Sequence, residues 1–171
     1  MFREFPRFDE TNAPADARGP LSEVKRAFGG VPAPLARYAS SPRMLRAALS
    51  GLDTFDGSSL GSLEREVLAM TMGRQHGCRF CIHHHRQLLR RLDAPAELID
   101  ALEQGQPLAS PRLESLRAFV LAALEHHGDV PPRTWSDFRE AGYTHAQALD
   151  VLLGISVYTL TTFANRLTEA G

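Results

Sequence analysis

No stretch of this 171-residue chain alternates apolar and polar residues for long enough to make a strand, which argues against a sheet-based fold. No segment recurs at a fixed period, so a solenoid or repeat array is not expected. Charge of one sign is also missing. The formal net charge is −1, which gives no reason to expect nucleic acid or an anionic membrane as partner. Lysine is almost absent: Lys25 stands alone among arginines, and no functional meaning attaches to that bias. The longest apolar tract, ALDVLLGISVYTLTTFA, is interrupted by Gly, Ser and Thr, and no run reads as a membrane span. The opening residues, MFREFPRFDETNAPADARG, mix charges with phenylalanines and lack the apolar stretch of a secretory signal. The cytoplasm is therefore the expected compartment. Cysteine is scarce as well. Only Cys78 and Cys81 occur, so there is no second Cys pair to complete a two-knuckle metal site.

What is present is helix. Apolar residues make up 43% of the chain and charged residues 23%, ordinary values for one globular domain. Residues 1–20, rich in Pro, Asp and Ala, read as an extended arm ahead of a helical domain over 21–171. LSEVKRAFGG reads as a short helix ended by Gly29 and Gly30. Ser41 is an expected N-cap with Pro42 at the first helical position. GSSLGS reads as a flexible break. A helix is expected from about Ser62 to His76, stopped by Gly77, and a second from the cysteines to about Leu92. APAELIDALEQG and SPRLESLRAFVLAALEHHG each carry Pro near the start and Gly near the end. The last helix opens with a capping box from Thr144 to Gln147. The expected fold is all-α, a single-domain antiparallel helical bundle with short connections. The final helix is apolar on most of its circumference. Leu149, Leu152, Leu153, Leu160, Phe163 and Leu167 form one stripe, extended by Val151, Ile155 and Tyr158. Burial on several sides is expected for such a helix, and with it a homo-oligomer.

The chemistry concentrates in QHGCRFCIHHHRQLL, residues 75–89. Side chains at i, i+3, i+4 and i+7 share a helix face. From Cys78 that face holds Cys81, Ile82, His85, Leu88, Leu89 and Leu92. Arg79, His83, Arg86, Gln87 and Arg90 lie opposite, so His83 points to water while His84 sits on the flank near Phe80 and Arg91. His85 alone of the three consecutive histidines joins the thiols. In the preceding helix Glu66 shares a face with Leu63, Met70 and Gly73, whereas Glu64 does not. An acid within an apolar stripe is costly unless it is paired. A helical hairpin centred on Gln75–His76 pairs Glu66 with His85 and leaves Cys81 one turn away. A structural pairing of Glu66 with an arginine such as Arg74 is the competing reading.

Both thiols lie in the first turn after Gly77, where the helix dipole favours negative charge. A thiolate is the reactive form of cysteine, and a nearby imidazolium lowers the thiol pKa from about 8.5. A carboxylate fixes the imidazole tautomer and raises its basicity. A sulfenic acid on one sulfur can condense with the other thiol to a disulfide. Two other classes stay open. Cys78, Cys81 and a histidine supply three zinc ligands, but a closed structural site needs four. A catalytically silent scaffold is the third. His76 reads as a helix-end residue, and Trp135, the only tryptophan, as core or interface.

These residues resemble the alkylhydroperoxidase AhpD-like family of the carboxymuconolactone decarboxylase superfamily. Its pattern is a Glu, eleven intervening residues, C-x-x-C, and a His four residues after the second Cys. Glu66, Cys78, Cys81 and His85 match it at every position. FGGVPAPLARYASSPRML and GYTHAQALDVLLGISVYTLTTFANRL are similar to the family's N-terminal helices and C-terminal helix. The resemblance implies an all-α fold, a trimer or hexamer, and hydroperoxide reduction or general thiol-disulfide exchange. Cys81 would be the peroxidatic nucleophile, Cys78 the resolving thiol, and Glu66 with His85 the proton relay. No metal or organic cofactor is expected. The reductant would be a dithiol, either a lipoyl group or a small redox protein. Some members carry a His just before the second Cys, where this chain has Phe80. The superfamily's lactone decarboxylases lack the CxxC, so their activity is not implied.

Overall fold

The computed structural model describes residues 4–169. Residues 1–3 of the expected arm and 170–171 of the expected domain lie outside the described residues. Nine helices and no strands occur among them: α1 (Ala15–Phe28), α2 (Ala33–Tyr38), α3 (Pro42–Asp56), α4 (Ser62–Gln75), α5 (Arg79–Arg91), α6 (Ala96–Gln104), α7 (Pro111–Glu125), α8 (Pro132–Glu140) and α9 (His145–Leu167). The expected caps form. Ser41 Oγ accepts from the Met44 amide at 3.3 Å. Thr144 and Gln147 bond reciprocally, at 2.9 and 3.1 Å. Gly29 closes α1 in the left-handed conformation at φ 72°.

Helix α4 is the centre. Val67 through Gly73 are all buried, because α5, α6, α7 and α9 pack around it. A helix enclosed on every side needs apolar residues all round, and VLAMTMG supplies them. The main core joins Leu68, Met70, Met72, Leu89 and Leu116 on these helices to Phe138 on α8. A second apolar cluster joins α1, α2 and α3 through Ala17, Leu21, Val24, Leu35, Tyr38 and Leu45.

Three expectations need correction. The arm is not extended through residue 20, because α1 already begins at Ala15 and runs through Pro20. Pro20 removes one i→i−4 hydrogen bond, but Ala17, Leu21 and Val24 line one face and all three are buried. That buried face outweighs the lost bond. The GSSLGS break is tied down rather than loose. The Ser59 amide donates to Asp150 on α9 at 2.8 Å, and Gly61's amide to Glu64 at 2.8 Å.

The third concerns α9. At 23 residues, with a most apolar stretch whose mean hydropathy is 1.3, it is long and apolar enough to cross a membrane by length and composition, contrary to the reading of its tract. It packs nonetheless as a core helix, on α4, α3 and α7. Its buried face is not the leucine stripe. Ala148, Val151, Gly154, Val157, Tyr158, Thr161, Thr162 and Asn165 face inward, while Leu149, Leu160, Phe163 and Leu167 are 68%, 40%, 56% and 49% exposed. Small residues allow the close approach. A Cβ on Gly154 would sit 2.6 Å from Phe55 Cε2 and 2.9 Å from Leu68 Cδ1.

Candidate functional site

The α4–α5 hairpin is built by two glycines. Gly77 takes φ 62° in the turn, a conformation that costs a side-chain-bearing residue strain. Gly73, on the last turn of α4, lets α5 come close, since a Cβ there would lie 3.2 Å from Cys81 Cβ. The Cys78 amide donates to the Gly73 carbonyl at 2.9 Å, which ends α4 and aims the chain into α5. Cys78 is the N-cap of α5. Its Sγ accepts from the Cys81 amide at 3.3 Å. Cys81 is the third helical residue, so both sulfurs sit at the positive end of α5. They are joined as a disulfide, with Cα atoms 5.3 Å apart.

One turn further along α5, His85 Nδ1 lies 2.8 Å from Glu66 Oε2 on α4. The imidazole side chain is 8% exposed and the carboxylate 15%. A carboxylate only accepts, so Nδ1 carries the proton and Nε2 of the neutral ring is left as the basic nitrogen. The His85 ring also meets the Tyr158 ring edge-on, with centroids 5.3 Å apart. Burial raises the Tyr158 hydroxyl well above the ordinary phenol range, and Glu66 adds to the effect.

The hairpin geometry thus pairs Glu66 with His85, and Arg74 is not its partner. His83 is exposed, as its face predicts. His84 stacks on Phe80 with centroids 5.9 Å apart, on the flank. Desolvation and the neighbouring His85 hold the His84 imidazole below its usual range. His76 caps the C-terminus of α4. Thr162 directs its hydroxyl proton to the Tyr158 carbonyl, so His76 Nδ1 donates to Thr162 Oγ1, 2.8 Å away. Arg166 donates to the His76 carbonyl at 2.7 Å, so α9 pins the hairpin turn from both sides. Trp135 stands against Phe119, Phe138 and His145, away from the cysteines. Among the described residues no three His, Cys, Asp or Glu side chains converge in a metal-binding group.

Sequence reasoning missed the contribution of α9. Asn165 Nδ2 lies 3.3 Å from Cys81 Sγ and 3.7 Å from Cys78 Sγ. The Tyr38 hydroxyl, from α2, bonds Asn165 Oδ1 and lies 2.9 Å from the Thr161 carbonyl. The available signal was a polar stripe inside an apolar helix: Tyr158, Thr161, Thr162, Asn165 and Thr168 recur at helical spacing.

Related structures share this architecture. An uncharacterised peroxidase-related protein from Ralstonia eutropha JMP134, described as an alkylhydroperoxidase AhpD core, superposes with a TM-score of 0.83 at 22% identity. The match covers 95% of this chain and 88% of that one. A peroxidase-related protein from Silicibacter sp. TM1040 superposes at 0.78 and 19% identity, over 99% of this chain and 93% of the other. A protein of unknown function from Agrobacterium tumefaciens reaches 0.64 at 15% identity, over 74% and 87%. Comparison with curated proteins gives no significant match. The model of the carboxymuconolactone decarboxylase family matches residues 39–123, from the end of α2 through most of α7, and so takes in Glu66, Cys78, Cys81 and His85. By that match residues 39–123 belong to the carboxymuconolactone decarboxylase family, and the chain as a whole has the AhpD-like fold.

Proposed function

We propose that the protein is a CxxC-dependent thiol peroxidase that reduces hydroperoxides in the cytoplasm. The observation that carries this reading is the Glu66–His85 contact at 2.8 Å, one helical turn from a redox-capable cysteine pair. In the reduced enzyme His85, held by Glu66, takes the Cys81 proton. The thiolate attacks the distal peroxide oxygen. The O–O bond breaks, an S–O bond forms, and the leaving alkoxide takes the proton back from His85. The Cys78 thiol then condenses with the Cys81 sulfenic acid, forming the disulfide and releasing water. An external dithiol restores both thiols and is itself oxidised to a disulfide.

Accessibility supports a small oxidant. Cys78 is 2% exposed and Cys81 4%. A hydroperoxide head can reach a nearly covered sulfur more readily than a folded protein's disulfide can. The same closure favours a dithiol at the end of a slender arm, such as a lipoyl group, over a small redox protein as reductant. The test is stoichiometric. Reduced protein treated with one equivalent of an alkyl hydroperoxide should lose two thiols and gain one intramolecular disulfide per chain, with alcohol released. Thiols that persist through that treatment, yet exchange with disulfides, would leave a general thiol-disulfide oxidoreductase instead. Thiols inert to both would leave a silent scaffold.

The exposed α9 stripe supports a second part of the proposal, a homo-oligomer in which another copy covers Leu149, Leu160, Phe163 and Leu167. A trimer or hexamer, as the family resemblance implies, is the expected form. Light scattering at micromolar concentration should give a mass several times that of one chain, and Leu160→Glu with Phe163→Glu should dissociate it. A monomer before substitution would overturn the assembly.

A further inference from the structure

We infer that Asn165 is a thiolate-stabilising residue of this site, its carboxamide held by Tyr38 so that the N–H faces Cys81. The inference deepens the peroxidase reading, because it rests on Cys81 reacting as a thiolate. Four observations on the page carry it. Asn165 is 6% exposed, a buried polar side chain in the last turn of α9, where an unbonded carboxamide would be costly. Its Nδ2 approaches Cys81 Sγ at 3.3 Å, closer than the 3.7 Å to Cys78 Sγ. Its Oδ1 is bonded to the Tyr38 hydroxyl, itself on a residue 4% exposed. The Cys81 amide is already committed to Cys78 Sγ, so it is not the donor that Cys81 needs.

The physical requirement is plain. Burial disfavours a thiolate and raises the thiol pKa unless a donor or a cation compensates. His85 compensates only while protonated. A carboxamide donor does so at every pH, and its charge never changes. Its weakness is rotation, since an amide can present oxygen to the sulfur as easily as nitrogen. Tyr38 removes that freedom. Desolvation raises the Tyr38 hydroxyl far above its ordinary range, so it stays a donor, aimed at the carbonyls of Asn165 and Thr161. The nearer approach to Cys81 also favours Cys81 over Cys78 as the sulfur that carries the charge.

The test is the pH profile of Cys81 alkylation by iodoacetamide, in the full chain with Cys78→Ser so that one thiol reacts. Asn165→Ala should move the midpoint up by about one pH unit, so that the rate well below the midpoint falls about tenfold while the alkaline plateau is unchanged. Asn165→Asp keeps the size and the Tyr38 contact but turns a carboxylate oxygen to the sulfur. Its midpoint should rise at least as far. Tyr38→Phe should move it the same way by less. If Asn165→Ala fails to fold, Asn165→Asp decides alone. Unmoved midpoints, or an Asp variant that matches the parent while Ala does not, would reduce Asn165 to a packing tether. Peroxide consumption is read separately. Shifted midpoints without peroxidase activity would overturn the substrate and leave Asn165 in place. Peroxidase activity with unmoved midpoints would overturn Asn165 alone.

Discussion

Cys81→Ser should reduce hydroperoxide turnover to the uncatalysed background, a fall on the order of a thousandfold or more, as expected when the nucleophile of a covalent mechanism is removed. Cys78→Ser should behave differently. It should consume one equivalent of peroxide per chain and then stop, with a sulfenic acid on Cys81 that a dimedone-type reagent captures. The asymmetry follows from position. Cys81 is the third residue of α5, one turn before His85 and nearest to the Asn165 carboxamide. Cys78 is the N-cap, and its sulfur is engaged as acceptor by the Cys81 amide. It stands where a resolving thiol must stand, within bonding reach but further from the imidazole along the helix. The reverse pattern, with Cys81→Ser retaining one oxidation and Cys78→Ser retaining none, would exchange the two roles and remove the argument from the helix face.

The hairpin that holds these residues was legible because its signals are local. Periodicity put His85 with the cysteines and left His83 in water, and Gly77 fixed the turn that sets Glu66 opposite His85. Caps at Ser41 and Thr144 were legible for the same reason, since donor and acceptor lie three residues apart. Long-range geometry was not. Asn165 meets Cys81 across 84 residues of sequence, and Tyr38 meets Asn165 across 127. No pattern within one helix names such partners. The start of α1 was lost because the Pro, Asp and Ala content of residues 1–20 reads as an extended arm, yet the burial of Ala17 and Leu21 on one face carries the helix through Pro20. On α9 the apolar circumference reads as a helix buried on several sides, without saying which side the rest of the chain covers. Close packing against α4 and α3 selected small and polar residues instead, with Gly154 admitting Phe55 and Leu68. The leucines were left for a surface that one chain does not cover.

Glu66 and His85 should act as one unit, and the double variant should make that visible. Glu66→Gln and His85→Ala should each slow peroxide oxidation of Cys81 near neutral pH by about a hundredfold, the lower range for general base catalysis. The double variant should be slowed by about the same factor rather than by the product. The reason lies in what each partner does alone. Without Glu66, the imidazole loses the acceptor that fixes its Nδ1 proton, so Nε2 is no longer held as the free, directed base. Without His85, the carboxylate has no base to orient, and its charge opposes a thiolate one turn away. Neither residue retains a contribution for the second substitution to remove. The pH dependence adds a sign. The defect of Glu66→Gln should be largest near neutrality and vanish at alkaline pH, where the Cys81 thiol ionises without help. His83→Ala should match the parent throughout, because His83 lies on the exposed face of α5. Multiplicative losses in the double variant, a defect that persists undiminished at alkaline pH, or a His83→Ala loss equal to that of His85→Ala would dissolve the relay into independent groups.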